Sequence, residues 1–595
     1  MVFWCYISQS LKSQNCKEAS PILSGNEEEI NTKTQESQST GQSAKRSLLN
    51  IATIVAIATL LSKIFGLLRQ VAIAAAFGNG TAYGAYNFAY VIPGFLLILL
   101  GGINGPFHSA IISVLAKRDR KEVAAIIDSI TTIVTGILLL VSIALVIFAE
   151  PLMHLVAPGL FVPEADLLVK GITPETIQNL KITKDIAIEQ FRIMAPMAVL
   201  AGLVGIGFGA LNAADAYWLP SVSPIFSSLT VLIGIGGLFW TMGSKMLLPE
   251  NAVLGGEVLA WATLAGAVLQ WLVQLPVQLK AGMGGFKLRF DFQRPEVKEV
   301  LKIMIPATFS SGMLQINVWT DLFFASFIPN AAAAVSAMGY AGLLVQTPLG
   351  ILSNVILVPL FPVLSKLTDP ENWGELKQRI RQGLMLTALT MLPISAVMVA
   401  LALPISQVVY ERYAFDAEAS QLTSVVLMAY AVGMFVYLGR DVLVRVFYAL
   451  GDGDTPFKIS VVSIFLNGLF DYLLVQRFGA AGIVLATVSV NVLSMFAMIY
   501  FLDRRLNGMP LKSWSITILG LIIASAIAGG ASWGVYHLLS QSFDSFGTVA
   551  KFGAKLGGLA IASAVGFAIF GAIAVQMKIP EIKALTNQIK RRFSR

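Results

Sequence analysis

The sequence predicts an all-α polytopic membrane protein with fourteen transmembrane helices: two six-helix pseudo-symmetric lobes followed by two C-terminal helices. Three observations predict this class: the composition, a series of apolar segments and an internal repeat. Hydrophobic residues make up 56% of the 595 residues and charged residues 13%, about half of the roughly 25% found in soluble domains. This composition excludes a disordered protein, a nucleic-acid-binding domain and an ordinary cytosolic enzyme, so no nucleic acid is expected as a partner.

Fourteen apolar segments follow one another from Leu48 onward, and most reach the about 20 residues that a helix needs to cross a bilayer. Several contain a proline, which membrane helices tolerate where the freed backbone groups face protein or a water-filled cavity. Such prolines include Pro93, Pro196, Pro306 and Pro348. The segments cover residues 48–77, 83–116, 122–149, 189–212, 217–241, 253–279, 297–328, 331–364, 374–402, 420–450, 455–476, 479–502, 513–539 and 552–577.

Basic residues in the connections between segments predict the orientation. The even-numbered connections hold 12 Lys and Arg residues, and the odd-numbered connections hold 7. Because basic residues collect in cytoplasmic loops, both termini are expected on the cytoplasmic side. We therefore expect residues 1–47 to form a disordered cytoplasmic tail and residues 581–595 a basic cytoplasmic tail.

An internal repeat relates the fourth segment to the tenth. Residues 210–215 (ALNAAD) close the fourth and residues 449–454 (ALGDGD) close the tenth, at an offset of 239 residues or six segments. An even number of spans preserves orientation, so the halves should be parallel repeats; the alternative is chance similarity between two short turns. We expect an N-lobe of spans 1–6 (48–280), a C-lobe of spans 7–12 (281–502), and spans 13 and 14 within 503–580.

Charged side chains inside the first segment are candidates for substrate binding, because an ionised group at mid-membrane is costly. Lys63 and Arg69 lie six residues apart, so they face broadly the same way. A buried basic cluster suits an anionic substrate, and Arg binds phosphate through two parallel hydrogen bonds. The alternative is that Arg69 extends to the membrane interface and only Lys63 stays inside.

The tenth segment contains a further charged group, formed by Arg440, Asp441 and Arg445. Asp441 and Arg445 are one helical turn apart and could neutralise each other, which would leave Arg440 facing a cavity. Structural pairing is as reasonable an interpretation of this group as substrate binding.

Oxygen-bearing side chains in three segments predict a cation site. Asp321 lies in the seventh segment, Asn467 and Asp471 share one face of the eleventh, and Thr487 lies in the twelfth. Two carboxylates, an amide and a hydroxyl could hold a small cation such as Na⁺, or one carboxylate could carry a proton. The alternative is a polar network that only holds helices together.

Sequence signatures of enzymes are absent. The chain has no phosphate-binding Gly-rich loop, no HExxH and no cysteine metal pair. We therefore expect no catalytic residue, no enzyme activity and no cofactor other than the candidate Na⁺. Transport through an intramembrane cavity is the class that remains.

Several of these residues carry a resemblance to a known family. The patterns are S-K-x-x-G-x-x-R at 62–69, Q-I-N-x-x-x-D at 315–321, Y-A-F-D-A-E at 413–418, F-Y-A-L-G-D-G-D-T-P at 447–456, and G-x-x-G then Ala-Thr at 479–487. Together they resemble the MurJ (MviN) family of lipid II flippases, within the multidrug/oligosaccharidyl-lipid/polysaccharide exporter superfamily. The similarity covers about residues 48–580, and the pattern at 447–456 is the most specific match.

The resemblance implies an alternating-access flippase for lipid II, the undecaprenyl-pyrophosphate-linked muropeptide of peptidoglycan and cell-wall synthesis. It would move this lipid from the inner to the outer leaflet of a bacterial plasma membrane, driven by membrane potential or a cation gradient. The helices would surround a central cationic cavity, with spans 13 and 14 forming a groove for the lipid tail. The expected partners are lipid II, membrane lipids and, as a further candidate, the cell-wall synthesis machinery.

The resemblance also implies roles for individual residues. Lys63 and Arg69 would meet the pyrophosphate, with Arg440 and Arg445 as further substrate-binding candidates. The sodium site described for the family would fall on Asp321, Asn467, Asp471 and Thr487. The structural motif after the tenth span would consist of Asp452, Thr455 and Pro456.

The chain departs from the family pattern in its cavity. Basic residues usual in the second span are replaced by Val91, Leu97 and Ile98, and the arginine of the eighth span by Leu343. The carboxylates usually near that arginine become Gly342 and Gln346. The headgroup is therefore held by fewer charges, or the substrate differs.

Three rival functions remain. A multidrug/cation antiporter, or a flippase for another lipid-linked oligosaccharide, would belong to the same superfamily. A lipid-linked sugar transferase or hydrolase would need catalytic carboxylates in loops 150–188 or 403–419, which show no catalytic spacing. A non-transporting scaffold would not explain the polar residues inside the spans.

Overall fold

The computed structural model describes residues 57–102, 107, 110–111, 120–214, 216, 218–284, 287–291, 293–312, 315–543 and 548–582. The predicted tail 1–47 lies outside the described residues, as does the predicted tail 581–595 except for its first two residues. Asp215 of the internal repeat lies outside them as well.

The described chain is helical, apart from connections and an isolated bridge between Arg412 and Phe415. Helices satisfy every backbone hydrogen-bonding group within one segment, which a lipid environment requires. Eleven described helices are long and apolar enough to cross a membrane, or twelve if one bent pair counts as a single span. The structure thus confirms an all-α, multi-span membrane protein without establishing the predicted count of fourteen.

The helices of the first half pack mainly on one another, with α2 at the centre against α6, α7 and α10. In chain order they are α1 (Ile57–Phe77), α2 (Thr81–Gly101), α3 (Arg120–Ile147), α4 (Ala149–Val156), α5 (Glu164–Val169), α6 (Pro174–Met194), α7 (Met197–Ala213), α8 (Trp218–Val222), α9 (Pro224–Met242), α10 (Ala252–Leu272) and α11 (Gln274–Lys280).

The second half contains the remaining helices. They are α12 (Pro295–Gly312), α13 (Ile316–Ala325), α14 (Ala331–Leu364), α15 (Trp373–Ala400), α16 (Ala402–Tyr410), α17 (Ala417–Val432), α18 (Met434–Ala449), α19 (Asp454–Arg505), α20 (Leu511–Ser540) and α21 (Thr548–Gln576). Helix α14 packs on α17 and α18, α13 packs on α19, and α20 lies between α15 and α21. The main helix contact between the two halves joins α14 to α2.

Prolines act differently in the helices that contain them. Pro196 lies between α6 and α7, which meet at a bend of 42°. Pro93 and Pro348 lie inside continuous helices. The fourth predicted segment begins at residue 189, whereas α6 begins at Pro174 after a cap by Thr173. The prediction missed this start because the first turns of α6 are polar.

Helix α19 spans 52 residues and contains one break at Gly479, where φ is 55° and ψ is −132°. Only glycine adopts this backbone conformation readily. The two parts fold back on each other at this break, because the hydroxyls of Ser463 and Ser494 lie 2.6 Å apart although 31 residues separate them. The break falls at the predicted boundary between the segments 455–476 and 479–502.

Asp452 organises the connection between α18 and α19. Its carboxylate accepts hydrogen bonds from the backbone N–H of Thr455 (3.0 Å), the Thr455 hydroxyl (2.9 Å) and the Arg505 guanidinium (2.6 Å). Burial acts to raise the pKa of Asp452, but these hydrogen bonds and the charge of Arg505 outweigh it and lower the pKa. The next residue of the predicted motif, Pro456, is buried in the first turn of α19, where its ring is compatible with a helix.

Replacing Asp452 should loosen this connection. Asp452→Ala removes the acceptor for three hydrogen bonds and should destabilise the protein by about 1–2 kcal/mol, as the loss of a helix cap does. The matched control is Asp454→Ala, because Asp454 is exposed and has no hydrogen-bond partner among the described residues. The thermal unfolding midpoint of the purified protein checks this, and equal midpoints for the two variants would contradict it.

Candidate functional site

The two halves meet at one end of the bundle through three glycines. A Cβ on Gly78, in the turn between α1 and α2, would lie 2.2 Å from the carbonyl oxygen of Ala414. On Gly84 it would lie 2.4 Å from the Cα of Ala332, and on Gly159 it would lie 2.1 Å from the carbonyl oxygen of Ser326. The backbones therefore approach so closely that no other residue fits at these positions without movement. We call this the Gly78 end.

Hydrogen bonds cross between the halves at the Gly78 end. The N–H of Ala414 donates to the carbonyl of Ala75 (3.1 Å), and the Tyr340 hydroxyl donates to the carbonyl of Gly78 (2.7 Å). The Tyr410 hydroxyl donates in turn to the carbonyl of Tyr340 (3.1 Å). Because all of these groups pack among buried aromatic rings, this end of the bundle is closed.

A cavity of about 370 Å³ lies between the halves, away from the closed end. Helices α1 and α2 form one wall, and α13, α14 and α17 form the other. Ile98 and Gln346, which line the cavity, are exposed, so the cavity is open on the side opposite the Gly78 end. Among the described lining residues Arg69 is the cation and Asp321 the anion.

The two basic residues of α1 occupy different places. Arg69 reaches the cavity, and its Nε atom is buried without a hydrogen-bond partner among the described residues. Lys63 is not part of the lining. Its Nζ atom lies 3.0 Å from the position that a Cβ on Gly350 of α14 would take, so the ammonium group sits beside the other half of the bundle.

The basic residues of α18 do not line the cavity. Arg440 donates to the hydroxyl of Ser460 at 3.2 Å, and the guanidinium of Arg445 lies 5.8 Å from the centre of the Phe361 ring. Within the described chain, Asp441 forms no ion pair with Arg445, so the pairing considered from their spacing is not formed. The structure thus brings only Arg69, of the four predicted substrate-binding residues, into the cavity.

The four predicted oxygen ligands form one hydrogen-bonded cluster. The side-chain N–H groups of Asn467 donate to Asp321 (2.8 Å) and to Asp471 (2.9 Å). The Thr487 hydroxyl lies 3.3 Å from a carboxylate oxygen of Asp321 and 3.3 Å from the amide oxygen of Asn467. Sequence spacing placed Asn467 and Asp471 on one face. Packing of α13 against α19 adds Asp321, and the part of α19 after Gly479 adds Thr487.

The cluster contains two carboxylates without a matching cation. Neither Asp321 nor Asp471 forms a salt bridge within the described part of the chain, and one oxygen of the fully buried Asp471 has no hydrogen-bond partner there. Two buried carboxylates in one network favour an added positive charge, either a proton or a metal ion. The described residues contain no group of three or more His, Cys, Asp or Glu placed to hold a metal. Asp321 also lines the cavity, so the cluster forms part of its wall.

The sequence did not identify the neutral polar side chains of the cavity as candidates, because they carry no charge. Tyr83, Tyr86 and Tyr90 form a stripe along α2, with ring centroids of successive tyrosines 6.1 and 5.2 Å apart. Their spacing of three and four residues is the signal that could have found them, since it places the side chains on one helix face. Three positions where the resemblance leads one to expect charges, Val91, Ile98 and Leu343, contribute apolar side chains to the same cavity.

Comparison with known proteins identifies relatives over most of the chain. The family model described as lipid II flippase MurJ matches residues 73–552. The chain is 54% identical over 552 residues to the probable lipid II flippase MurJ of Synechocystis sp., covering 93% of this chain and 99% of that protein. It is 28% identical over 516 residues to the lipid II flippase MurJ of Burkholderia cenocepacia, covering 85% and 92%.

Two solved structures share the fold. Lipid II flippase MurJ in an inward closed conformation superposes with a TM-score of 0.67 at 22% identity, covering 88% of this chain and 98% of that one. An inward-facing multidrug resistance MATE family transporter of the MOP superfamily superposes with a TM-score of 0.56 at 15% identity, covering 77% and 98%. These likenesses concern the arrangement of helices alone.

Proposed function

The chain belongs to the MurJ family of lipid II flippases, and from that premise we propose that it moves lipid II across the plasma membrane by alternating access. The observation that carries the mechanism is a cavity between two halves that is closed at the Gly78 end and open at the other. A flippase relocates its substrate without making or breaking a covalent bond, so no catalytic residue is proposed.

The topology proposed for this function has fourteen spans. In addition to the helices that are long and apolar enough, α12 with α13 would form the seventh span, and the break at Gly479 would divide α19 into two. The connections then keep their predicted sides, with both termini in the cytoplasm and the Gly78 end outside. The cavity is therefore open to the cytoplasmic side, where lipid II is made.

Arg69 is the proposed contact for the pyrophosphate of lipid II. It is the cation of the cavity, and a guanidinium matches phosphate oxygens with paired, charge-assisted hydrogen bonds. The buried Nε of Arg69 lacks a partner among the described residues, which leaves a donor free for the substrate. Lys63 lies farther toward the open end, where we propose that it meets the lipid before Arg69 does.

Closure at the Gly78 end would reverse when the lipid is bound. The contacts there combine close backbone approach, a few hydrogen bonds and a buried apolar cluster that includes Phe77, Tyr340 and Phe415. The halves can separate as rigid bodies, so this does not require unfolding of either half. A driving force is available from the membrane potential, because one charge gains about 2.3 kcal/mol on crossing 100 mV.

The oxygen cluster is the proposed site for the coupling ion. Two carboxylates, an amide oxygen and a hydroxyl are the hard donors that Na⁺ takes, and the unpartnered oxygen of Asp471 fits this chemistry. A bound cation would neutralise the two carboxylates. Asp321 belongs to both the cluster and the cavity wall. A cation bound in the cluster would therefore change the charge that a substrate in the cavity meets.

The rival functions are less well supported. The multidrug transporter shares only the fold at 15% identity, whereas the relative with 54% identity is a probable lipid II flippase. The loops considered for a transferase or hydrolase are partly helical: α4, α5 and part of α6 lie in the first, and α16 covers about half of the second.

Removing the guanidinium of Arg69 should stop transport. Arg69→Ala is expected to lower lipid II flipping by tenfold or more, since a hydrogen bond to a charged group contributes about 1.5–3 kcal/mol. Arg69→Lys keeps the charge without the paired geometry and should retain part of the activity. The measurement is external lipid II in flippase-depleted bacteria that express each variant.

The matched control is Arg477→Ala, because Arg477 is exposed and lies outside the cavity lining. This variant should complement fully at equal membrane expression. Full complementation by Arg69→Ala would exclude its proposed role.

Neutralising Asp471 should remove any sodium dependence of flipping. Asp471→Asn keeps the shape of the side chain but removes one of the two carboxylate charges that favour a cation. Flipping in proteoliposomes is measured while Na⁺ replaces K⁺ at constant pH, and the variant should respond less than the native protein. Asp454→Asn, which changes an exposed carboxylate of the same helix, is the control. An Asp471→Asn protein with the native sodium response would reject the site.

A further inference from the structure

Several neutral polar groups in the cavity have no hydrogen-bond partner among the described residues. Tyr90, Gln315, Gln346 and Tyr430 all line the cavity, and none of their side chains forms a hydrogen bond with the described part of the chain. Tyr86 differs, because its hydroxyl lies 3.1 Å from that of Thr263. The four free side chains are therefore available to a molecule that enters the cavity.

Tyr90 is held in place although its hydroxyl is free. Its ring stacks on Tyr86, with centroids 5.2 Å apart and 15° between the planes. Gly94 lies one turn further along α2, and a Cβ there would lie 2.2 Å from the Tyr90 ring. The absence of a side chain at Gly94 thus makes room for the ring. A preorganised donor and acceptor loses little freedom when it binds a ligand.

The other three free groups come from the opposite half of the protein. Gln315 precedes α13, Gln346 lies in α14 and Tyr430 lies in α17. All three are uncharged, as is Tyr90. Among the described lining residues, the cavity thus presents uncharged hydroxyl and carboxamide groups from both halves, together with Arg69 and Asp321.

This set of groups matches a neutral, polyhydroxylated ligand. Phenol and carboxamide groups both donate and accept hydrogen bonds, as sugar hydroxyls and acetamido groups require. A site that hydrogen-bonds such groups discriminates strongly against a ligand that lacks them. Lipid II carries two N-acetylated hexoses next to its diphosphate. Arg69 would bind the diphosphate, and the neutral groups would bind the sugars.

We propose that Tyr90, Gln315, Gln346 and Tyr430 form a subsite for the N-acetylhexosamine units attached to the diphosphate that Arg69 binds. The inference rests on the proposed function and assigns specificity for the sugars to these four residues. It also explains how a cavity without the family's usual basic residues selects its lipid. The amides of the lipid II peptide offer similar hydrogen-bonding groups. A sugar-bearing lipid without a peptide distinguishes binding of the sugars from binding of the peptide.

The experiment compares three lipids binding to the full-length protein in nanodiscs by native mass spectrometry. The probes are undecaprenyl diphosphate, undecaprenyl diphosphate carrying one N-acetylglucosamine and no peptide, and lipid II. The native protein should bind both sugar-bearing lipids about tenfold more tightly than undecaprenyl diphosphate, which is the effect of one or two neutral hydrogen bonds. Tyr90→Phe with Gln346→Leu should abolish this preference while binding of undecaprenyl diphosphate stays the same.

Further variants test whether a lost preference for the sugars comes from the subsite itself. Tyr472→Phe removes the same hydroxyl from an exposed tyrosine outside the cavity and should keep the preference. Arg69→Ala should weaken binding of all three lipids by a similar factor. Each single variant, Tyr90→Phe or Gln346→Leu, should lose about threefold of the preference, which provides a test if the double variant is unstable.

A preference that survives in the double variant would overturn the subsite, as would a preference shown only for the peptide-bearing lipid. If the native protein binds none of the three lipids, the proposed function itself is wrong. Equal binding of all three by the native protein would refute the subsite and leave the flippase proposal standing.

Discussion

Backbone contact without intervening side chains is the constraint on which this structure depends. At Gly78, Gly84 and Gly159 the two halves approach so closely that a single Cβ would overlap the opposing chain. At these contacts, backbone groups are satisfied by one another and by the hydroxyls of Ser326 and Tyr340. With this end closed, the 370 Å³ cavity opens toward the other end, and a separate cavity of about 680 Å³, lined by Gly80, Asn330 and Asp416, lies at the Gly78 end.

Polar groups within the bundle are distributed according to this geometry. Arg69 and the free neutral side chains line the open space, where water or a headgroup can solvate them. The oxygen cluster lies in the wall of the same space, and Asp321 is common to both. Ionised groups elsewhere in the bundle contact protein groups instead, as Arg440 contacts Ser460, because a charge that faces lipid is costly. Substrate and coupling ion would therefore act on neighbouring parts of one surface.

The sequence predicted the parts of this site that depend on local spacing. Asn467 and Asp471 are one turn apart on a helix, and the structure places them in hydrogen-bonding contact. The sequence could not show that Arg440 bonds Ser460, because the direction in which α18 faces is set by its packing on α15 and α19. The tyrosine stripe of α2 was missed for another reason, since neutral side chains in a membrane helix give no signal of charge.

The sequence also predicted those parts of the fold that depend on local apolar length. Apolar length predicts most spans, including the boundary at Gly479, where the two parts of α19 fold back on each other. It does not show that α6 begins well before the apolar segment, because the first turns of α6 are polar. Nor does it show the close contact at Gly482, where a Cβ would lie 2.3 Å from the carbonyl oxygen of Leu474 on the preceding part of α19. Glycines such as Gly84 and Gly482 mark where segments touch, which composition alone does not reveal.

Closure through the glycine contacts can be measured as a distance. Spin labels at Glu250 and Glu418, exposed residues in different halves beside the Gly78 end, report its separation by double electron–electron resonance. The labelled protein with Cys5 and Cys16 replaced by Ser should show mainly the short distance in the absence of lipid II. Introducing Gly84→Val should shift the population to longer distances, whereas Gly136→Val, at a glycine with open space around it, should not. Identical distance distributions for all three proteins would show that the two halves are not held together by these contacts.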